Sequence, residues 1–331
     1  MPTLKLKILL RSLLICIRVY CFLRQKKNQE RVIAVLLLLP ALILLLPTLT
    51  FELTLIQSFL FQAMIVYGLL SIFWIRRAHY RLAGINFFIY LLLLIKVNSP
   101  IDQGFRIIQG EEQLTVLQFN ILATNQTYEE TIEEVKRLSP DFVSFQEISN
   151  IWATQLEAGL TDVYPYYRVV RHYDQTQGIA VFSKYPLREV RELDWFGTAN
   201  ISGKVEVGSE SINFLCLHTK SPMTRGRWQV RNAHIEKARS YVNSNPGEFL
   251  VLGDFNTVPW DSRLLNFKSA TRLVDSRKGL TPTYPTWNPF VAQIPIDYIF
   301  HSQGIGCQSL DSVNITSDHK AILGTYQIAG T

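Results

Sequence analysis

Asn120, Glu147, His218, Asp254, Asn256 and Asp297, with the triplet Ser317-Asp318-His319, are the side chains whose types combine into one chemistry. Glu147 and Asp318 are hard oxygen donors and Asn120 adds a neutral carbonyl, a set that suits Mg²⁺ or Mn²⁺ better than Zn²⁺. Zinc would recruit cysteines or several histidines at ligand spacing, and none cluster that way. The two histidines, with carboxylates nearby, supply orientation and proton transfer, while Asn256 and His218 can hold phosphoryl oxygens. Together these groups meet the needs of phosphate-ester hydrolysis: neutralise developing charge, activate water, and align it for in-line attack.

Such groups must be brought together by rigid elements. Six runs rich in β-branched and aromatic residues read as strands: LTVLQFNIL at 114, FVSFQEI at 142, GIAVFSKYP at 178, INFLCLHT at 212, FLVLGDFN at 249 and PIDYIF at 295. Most are apolar until they end in a carboxylate, amide or imidazole, where a sheet presents catalytic groups. Asn and Asp also start turns, but chance turn chemistry explains the recurrence poorly. Helical stretches lie between, notably Tyr128 to Leu138 and Arg227 to Asn243; Glu129, Glu130, Glu133 and Glu134 on the first read as a solvated face. A layered α/β sandwich is the simplest architecture. Arg225, Arg227 and Arg231 suit either a phosphate clamp or, for the last two, a solvated helix face. Tyr284, Trp287 and Phe290 read as loop packing before a substrate or membrane contact.

The chain has 331 residues, 48% hydrophobic and 18% charged, with net charge +6. That excludes a disordered protein or a small disulfide scaffold. Residues 1–110 hold 13 Lys/Arg and 3 Asp/Glu; the remainder holds 20 and 24, a net of −4. The positive excess is therefore no sign of nucleic acid. It accompanies three apolar runs: residues 32–50 without a charge, Leu53 to Ile75, and the shorter Ala83 to Ile95. The first is about the ~20 residues a helix needs to cross a bilayer, and its prolines are tolerated there. Ahead of them, Lys5 to Lys27 carries Lys7, Arg11 and Arg18 on one side of a Leu/Ile-rich helix, suited to an anionic membrane surface rather than to a signal peptide. Lys and Arg concentrate in residues 1–31 and around Arg76, Arg77 and Arg81, which predicts a cytoplasmic N-terminus. With three spans everything after about residue 98 lies outside the cytoplasm; with two it lies inside, so the third run decides. Cys216 and Cys307 admit a bridge in an oxidising space, but buried free thiols are the commoner arrangement.

FNIL at 119, FQE at 145, GIAVFSKYP at 178, LHT at 217, GDFN at 253, IDYIF at 296 and SDH at 317 resemble, in order, the motifs of the endonuclease/exonuclease/phosphatase superfamily. The resemblance covers roughly residues 113–328 and implies a four-layered α/β sandwich of two packed mixed sheets flanked by helices. Carried onto this sequence, it implies Glu147 as principal metal ligand, with Asn120 and Asp318 helping to hold the Mg²⁺ or Mn²⁺ or its waters. Asp254 would orient or deprotonate the attacking water and Asn256 would position the phosphate. His319, paired with Asp297, would contact the phosphoryl group, and His218 would stand beside the scissile phosphate. The apolar N-terminal segments, RNAH at 231 and GDFNTVPW at 253 also resemble the bacterial membrane-anchored branch. In that branch the domain faces away from the cytoplasm, and one relative type acts in glycopeptide resistance and is linked to lipid-pyrophosphate metabolism.

The expected organisation is a basic leader over 1–31, a membrane anchor over 32–97, a linker over 98–112 and a catalytic domain over 113–331. The expected function is a membrane-anchored, divalent-metal-dependent phosphohydrolase. It would act on a phosphate ester or lipid pyrophosphate at the outer face of the cytoplasmic membrane, with the bilayer as its partner. Two alternatives stand beside it: an extracytoplasmic nuclease, which the acidic average disfavours, and a non-catalytic module that binds phosphate or lipid.

Overall fold

The computed structural model describes residues 24–101, 108, 110, 112–172, 174 and 176–329. Most of the basic leader and of the linker lies outside them. The described chain divides into two units that are not consecutive in sequence: residues 1–46 with 60–95, and residues 47–59 with 96–331.

The first unit consists of helices α1 (Lys26–Leu45), α3 (Leu60–Arg76) and α4 (Tyr80–Asn98), while the short helix α2 (Phe51–Gln57) belongs to the second. Within the first, Tyr67 donates to the carbonyl of Leu37 (2.7 Å) and Ser71 to that of Ala83 (3.1 Å), tying the three helices together. His79 and Glu30 lie 2.7 Å apart, so the start of α1 meets the turn between α3 and α4. Outward positions are apolar: Leu36, Leu69 and Phe88 are each about 60% exposed. A water-soluble bundle would place polar side chains there.

Among the described residues two helices are long and apolar enough to cross a membrane, Lys27–Leu45 and Tyr80–Asn98, or three if α2 and α3, bent by 55°, count as one span. The short run at 83–95 thus reaches 19 residues because its helix extends to Tyr80 and Asn98. The expected continuous span from Leu53 to Ile75 is instead broken. Thr50 caps the start of α2, accepting from the Leu53 amide at 3.3 Å, and the chain turns before Leu60.

The second unit carries two six-stranded sheets. One has the order β11-β12-β1-β2-β4-β3 and the other β5-β6-β7-β8-β10-β9. The strands are β1 (Glu112–Asn120), β2 (Phe142–Ile148), β3 (Tyr166–Val170), β4 (Gly178–Ser183), β5 (Leu187–Asp194), β6 (Ala199–Val207), β7 (Glu210–His218), β8 (Phe249–Asp254), β9 (Val274–Asp275), β10 (Asp297–His301), β11 (Ile305–Val313) and β12 (Ala321–Ile328). Both sheets are mixed: β1 runs parallel to β2 and β7 to β8, and the remaining pairs are antiparallel.

Strand alternation builds the layers. Leu114 and Val116 pack between the sheets with Phe142, Ile201, Phe214 and Leu252. Leu117 and Phe119 face the other way, onto α5 (Tyr128–Leu138) and α6 (Asn150–Leu160) through Val135, Trp152 and Leu156. On the far side Leu215, Leu217 and Val251 meet α7 (Arg225–Ser244) and α8 (Ser262–Thr271) through Ile235, Ala238 and Phe267. Helix, sheet, sheet, helix is the four-layered sandwich expected of the sequence. Cys216 and Cys307 are both buried free thiols, so the alternative of a bridge is not realised.

Candidate active site

The face each central strand turns toward the other sheet is apolar at one end and polar at the other. On β1 it reads Leu114, Val116, Gln118, Asn120; on β7 Ile212, Phe214, Cys216, His218; on β8 Leu250, Leu252, Asp254. Register then gathers the polar ends. Parallel pairing sets His218 beside Asp254, and antiparallel pairing sets Asp297, the first residue of β10, opposite the same Asp254. Because β12 runs antiparallel to β1, the Ser317-Asp318-His319 turn before it returns to the end of β1, where Ser317 donates to the Asn120 carbonyl at 2.8 Å.

Glu147 breaks this alternation. As the residue after Gln146 it should face α6, but β2 bulges there against β4 and Glu147 takes a positive φ of 56°. That re-aims its carboxylate into the cleft, where the Asn120 amide donates to it at 2.9 Å and to Asp254 at 3.2 Å. Such a backbone costs about 1–3 kcal/mol and persists where surrounding structure enforces it. Two glycines leave the required room. A Cβ on Gly178 would lie 2.4 Å from the Ile148 carbonyl oxygen, and one on Gly253, at φ +147°, would lie 1.8 Å from that of Leu217.

Asp254 is the centre of the cluster. Its second oxygen accepts from the Asn256 backbone amide at 2.7 Å, and the imidazole nitrogens of His218 and His319 each lie 3.8 Å from the first. Burial pushes its carboxyl well above the usual range, as does the nearby Asp297, with His319 opposing and Glu147 adding to the rise. His319 is held by Asp297 at 2.8 Å through Nδ1. Burial alone would lower the imidazole, but Asp297 and Asp254 outweigh it and raise it to about 10, so it is a cation at neutral pH. The other oxygen of Asp297 accepts from Gln118 at 3.0 Å, which fixes the carboxylate toward His319.

His218 is the opposite case. Burial, with the cationic His319 and Lys220 nearby, brings it down to about 3. It stays neutral, its Nε2 lying 3.5 Å from Glu147. Asp318 is partly buried and raised by that burial, His319 opposing. Asn256 sits at φ +48° and donates its side-chain amide to the Thr219 carbonyl at 2.9 Å, leaving its second side-chain N–H and its side-chain oxygen for a ligand.

All eight sequence-predicted residues therefore lie at one end of the seam between the sheets. Glu147, His218 and Asp254 can converge on one ion, while Asp254 and Asp297 flank the cationic His319. The oxygen-rich set, with buried carboxylates crowding Asp254, fits a hard divalent cation. One detail differs from expectation: the Asn120 side-chain oxygen Oδ1 accepts from the Leu122 amide at 3.1 Å, so its side-chain nitrogen, rather than that oxygen, faces the two carboxylates.

Arg231 is neither a phosphate clamp nor on a solvated face. It is fully buried, 3.3 Å from Asp261, and donates to the carbonyl of Asn256 at 3.4 Å. Arg225 pairs with Glu52. The Tyr284 ring packs 4.7 Å from His319, whereas Trp287 is 69% exposed. Beside Asp318 lies a groove of about 540 Å³ lined by Leu122, Thr124, Asn125, Trp287, Ile315 and Thr316 among others, with no lysine or arginine.

A comparison with curated protein sequences finds no match. Solved structures share the fold at low identity. Humanised D. rerio TDP2 is 14% identical over 65% of this chain and 99% of that one, with a TM-score of 0.56. For an endonuclease/exonuclease/phosphatase from Beutenbergia cavernae the values are 15%, 66%, 72% and 0.54, and for sphingomyelinase C from Streptomyces griseocarneus 16%, 66%, 99% and 0.50. The sequence profile of the endonuclease/exonuclease/phosphatase family matches residues 117–319, more than half of the protein, and on that match the chain belongs to this family.

Proposed function

We propose that the protein is a membrane-anchored, divalent-metal-dependent phosphohydrolase that cleaves a phosphate ester or lipid pyrophosphate at the outer face of the cytoplasmic membrane. The observation that carries this reading is the convergence of Glu147, His218, Asp254, Asp297 and His319 in one cleft, in a chain that also holds membrane-length helices. Glu147 and Asp254 would hold the ion, with Asp318 close by, and the ion would supply a counter-charge for the phosphoryl oxygens. Asp254, at the centre of the cluster and within 3.8 Å of both imidazoles, is the candidate to orient or deprotonate the attacking water. His319, cationic and oriented by Asp297, presents its Nε2 proton to a phosphoryl oxygen, and Asn256 aligns the phosphate.

Two features favour a neutral or lipid-linked leaving group over nucleic acid. Apart from Asp318 itself, the groove is lined by apolar and uncharged polar groups, with no lysine or arginine to meet a polyanion. Of the basic side chains that could form a rim for nucleic acid, Arg168, Arg171, Lys220, Arg225 and Arg227, the first four each pair with a carboxylate. The outward orientation is proposed from the Lys/Arg distribution, which favours a cytoplasmic N-terminus and a cytoplasmic Arg76–Arg81 turn.

The test is a substrate panel of polyprenyl pyrophosphate, phospholipid, sugar phosphate, DNA and RNA, given to the full chain in detergent with and without EDTA. Chelator-sensitive phosphate release from lipid pyrophosphate or phospholipid, lost in Glu147→Ala, is expected. Turnover confined to DNA or RNA, or full activity in Glu147→Ala, would overturn the reading. Fluorescence from a cytoplasm-only reporter fused after Thr331 would overturn the orientation.

A further inference from the structure

The connection between α1 and α3 is bonded into the sheet-bearing unit rather than left as a polar loop. Thr48 and Ser262 exchange hydrogen bonds: the Thr48 amide donates to Ser262 Oγ at 2.9 Å and the Ser262 amide donates to Thr48 Oγ1 at 2.6 Å. The second satisfies an amide that the first turn of α8 would otherwise leave orphaned. Trp260, 2% exposed, donates its indole N–H to the Gln57 carbonyl at 2.6 Å, and Trp228 donates to Thr54 at 3.0 Å. Thr48, Thr54 and Gln57 are correspondingly buried.

These contacts bracket Asp261, which caps α8 through the Arg263 amide at 2.8 Å and forms the fully buried pair with Arg231. Arg231 in turn holds the carbonyl of Asn256, a residue in left-handed backbone that needs outside support. From Gln57 to Asn256 the path runs through the Trp260 hydrogen bond, the peptide bond from Trp260 to Asp261, and the bonds of Arg231 to Asp261 and to the Asn256 backbone carbonyl.

We propose that Pro47–Phe59 is a strap belonging to the catalytic domain, and that Trp260 and Arg231 are positioning residues through which it sets Asn256 toward the phosphate. The Asn256 part rests on the proposed function; the docking of the strap does not.

The experiment uses the full chain in nanodiscs, in a Cys16→Ser, Cys21→Ser background. The Thr48 and Ser262 hydroxyl oxygens are 3.0 Å apart, so Thr48→Cys with Ser262→Cys is expected to close a disulfide under mild oxidation. Free labelling of both thiols by maleimide would overturn the docking. Positioning is read from two affinities, Mn²⁺ alone and inorganic phosphate with Mn²⁺ present. Trp260→Phe keeps an aromatic side chain, smaller than the indole, and removes the donor, and is expected to weaken phosphate binding about tenfold, the effect of one buried hydrogen bond, while Mn²⁺ affinity holds. Arg231→Met should behave likewise, and Arg231→Lys should recover part of the loss. Equal phosphate affinity in wild type and Trp260→Phe, or phosphate and Mn²⁺ affinity falling together, would overturn the positioning role. Wild-type protein that binds Mn²⁺ and no phosphate would sink the hydrolase reading and the Asn256 role with it, and the disulfide would still decide the strap.

Discussion

Glu147 and His319 reach the cleft by different physical means, and their variants should fail differently. Glu147 is aimed by a backbone bulge, so Glu147→Gly relaxes φ +56° and removes one carboxylate from beside Asp254. The metal-free variant should melt a few degrees above wild type in a thermal scan while phosphate release is abolished. His319 is aimed by a side chain. Asp297→Asn keeps the shape but loses the charge that makes the imidazole a cation, and should cut turnover by on the order of 10²–10⁴ with little change in melting temperature. His234 offers a pH test away from the catalytic groups. Its Nε2 meets Asn200 at 2.8 Å, and burial, with His218 and Lys220 adding, lowers it to about 3 from 6.5. Between those values the unfolded chain binds a proton that the folded one refuses. Stability should therefore fall as pH drops below 6.5, by up to ~1.4 kcal/mol per unit. Denaturant titrations from pH 7.5 to 4.5 should give a flatter dependence for His234→Gln, which keeps a donor for Asn200.

At the scale of elements, the glycine before Asp254 is a steric requirement. Gly253→Ala has neither the backbone freedom nor the space beside Leu217, and should cost about 3 kcal/mol or more, read as lost folded yield in membrane extracts. The strands legible in the sequence were β1, β2, β4, β7, β8 and β10, mostly buried on both faces and so written as continuous apolar runs. The four sheet edges, β3, β5, β9 and β11, were not: LREVRELD of β5 is largely exposed, and β9 is two residues long. Strand-end polarity pointed to the site residues because period-two alternation carries the core face into the cleft. It could not reveal the bulge at Glu147, which depends on pairing with β4. Nor could it place Arg231, which sits in a helix whose composition reads as solvated.

For the molecule as a whole, the interleaved division of the chain matters to how it is cut. A fragment starting at residue 111 would lack Pro47–Phe59 and bare Trp228 and Trp260. Against the full chain in detergent it should unfold at lower denaturant and aggregate more readily, as light scattering would register. Equal stability of the two would mean that the connection adds nothing to the fold. The apolar runs marked this region as membrane-associated, but the buried polar contacts of Thr48, Thr54 and Gln57 depend on partners some two hundred residues away, which local pattern does not encode.

The cleft also behaves as a gauge of sheet spacing. Asn120, Glu147 and His319 come from one sheet or its edge, His218, Asp254 and Asp297 from the other, and the Gln118 amide spans the gap. Deeper along the same seam the Phe142 and Phe214 rings meet across it, tilted by 54° with centroids 5.1 Å apart. Wedging that contact open, as Phe214→Trp would, acts on the cleft as a doorstop near a hinge acts on the latch. Catalysis should fade at temperatures where circular dichroism still reports an intact fold.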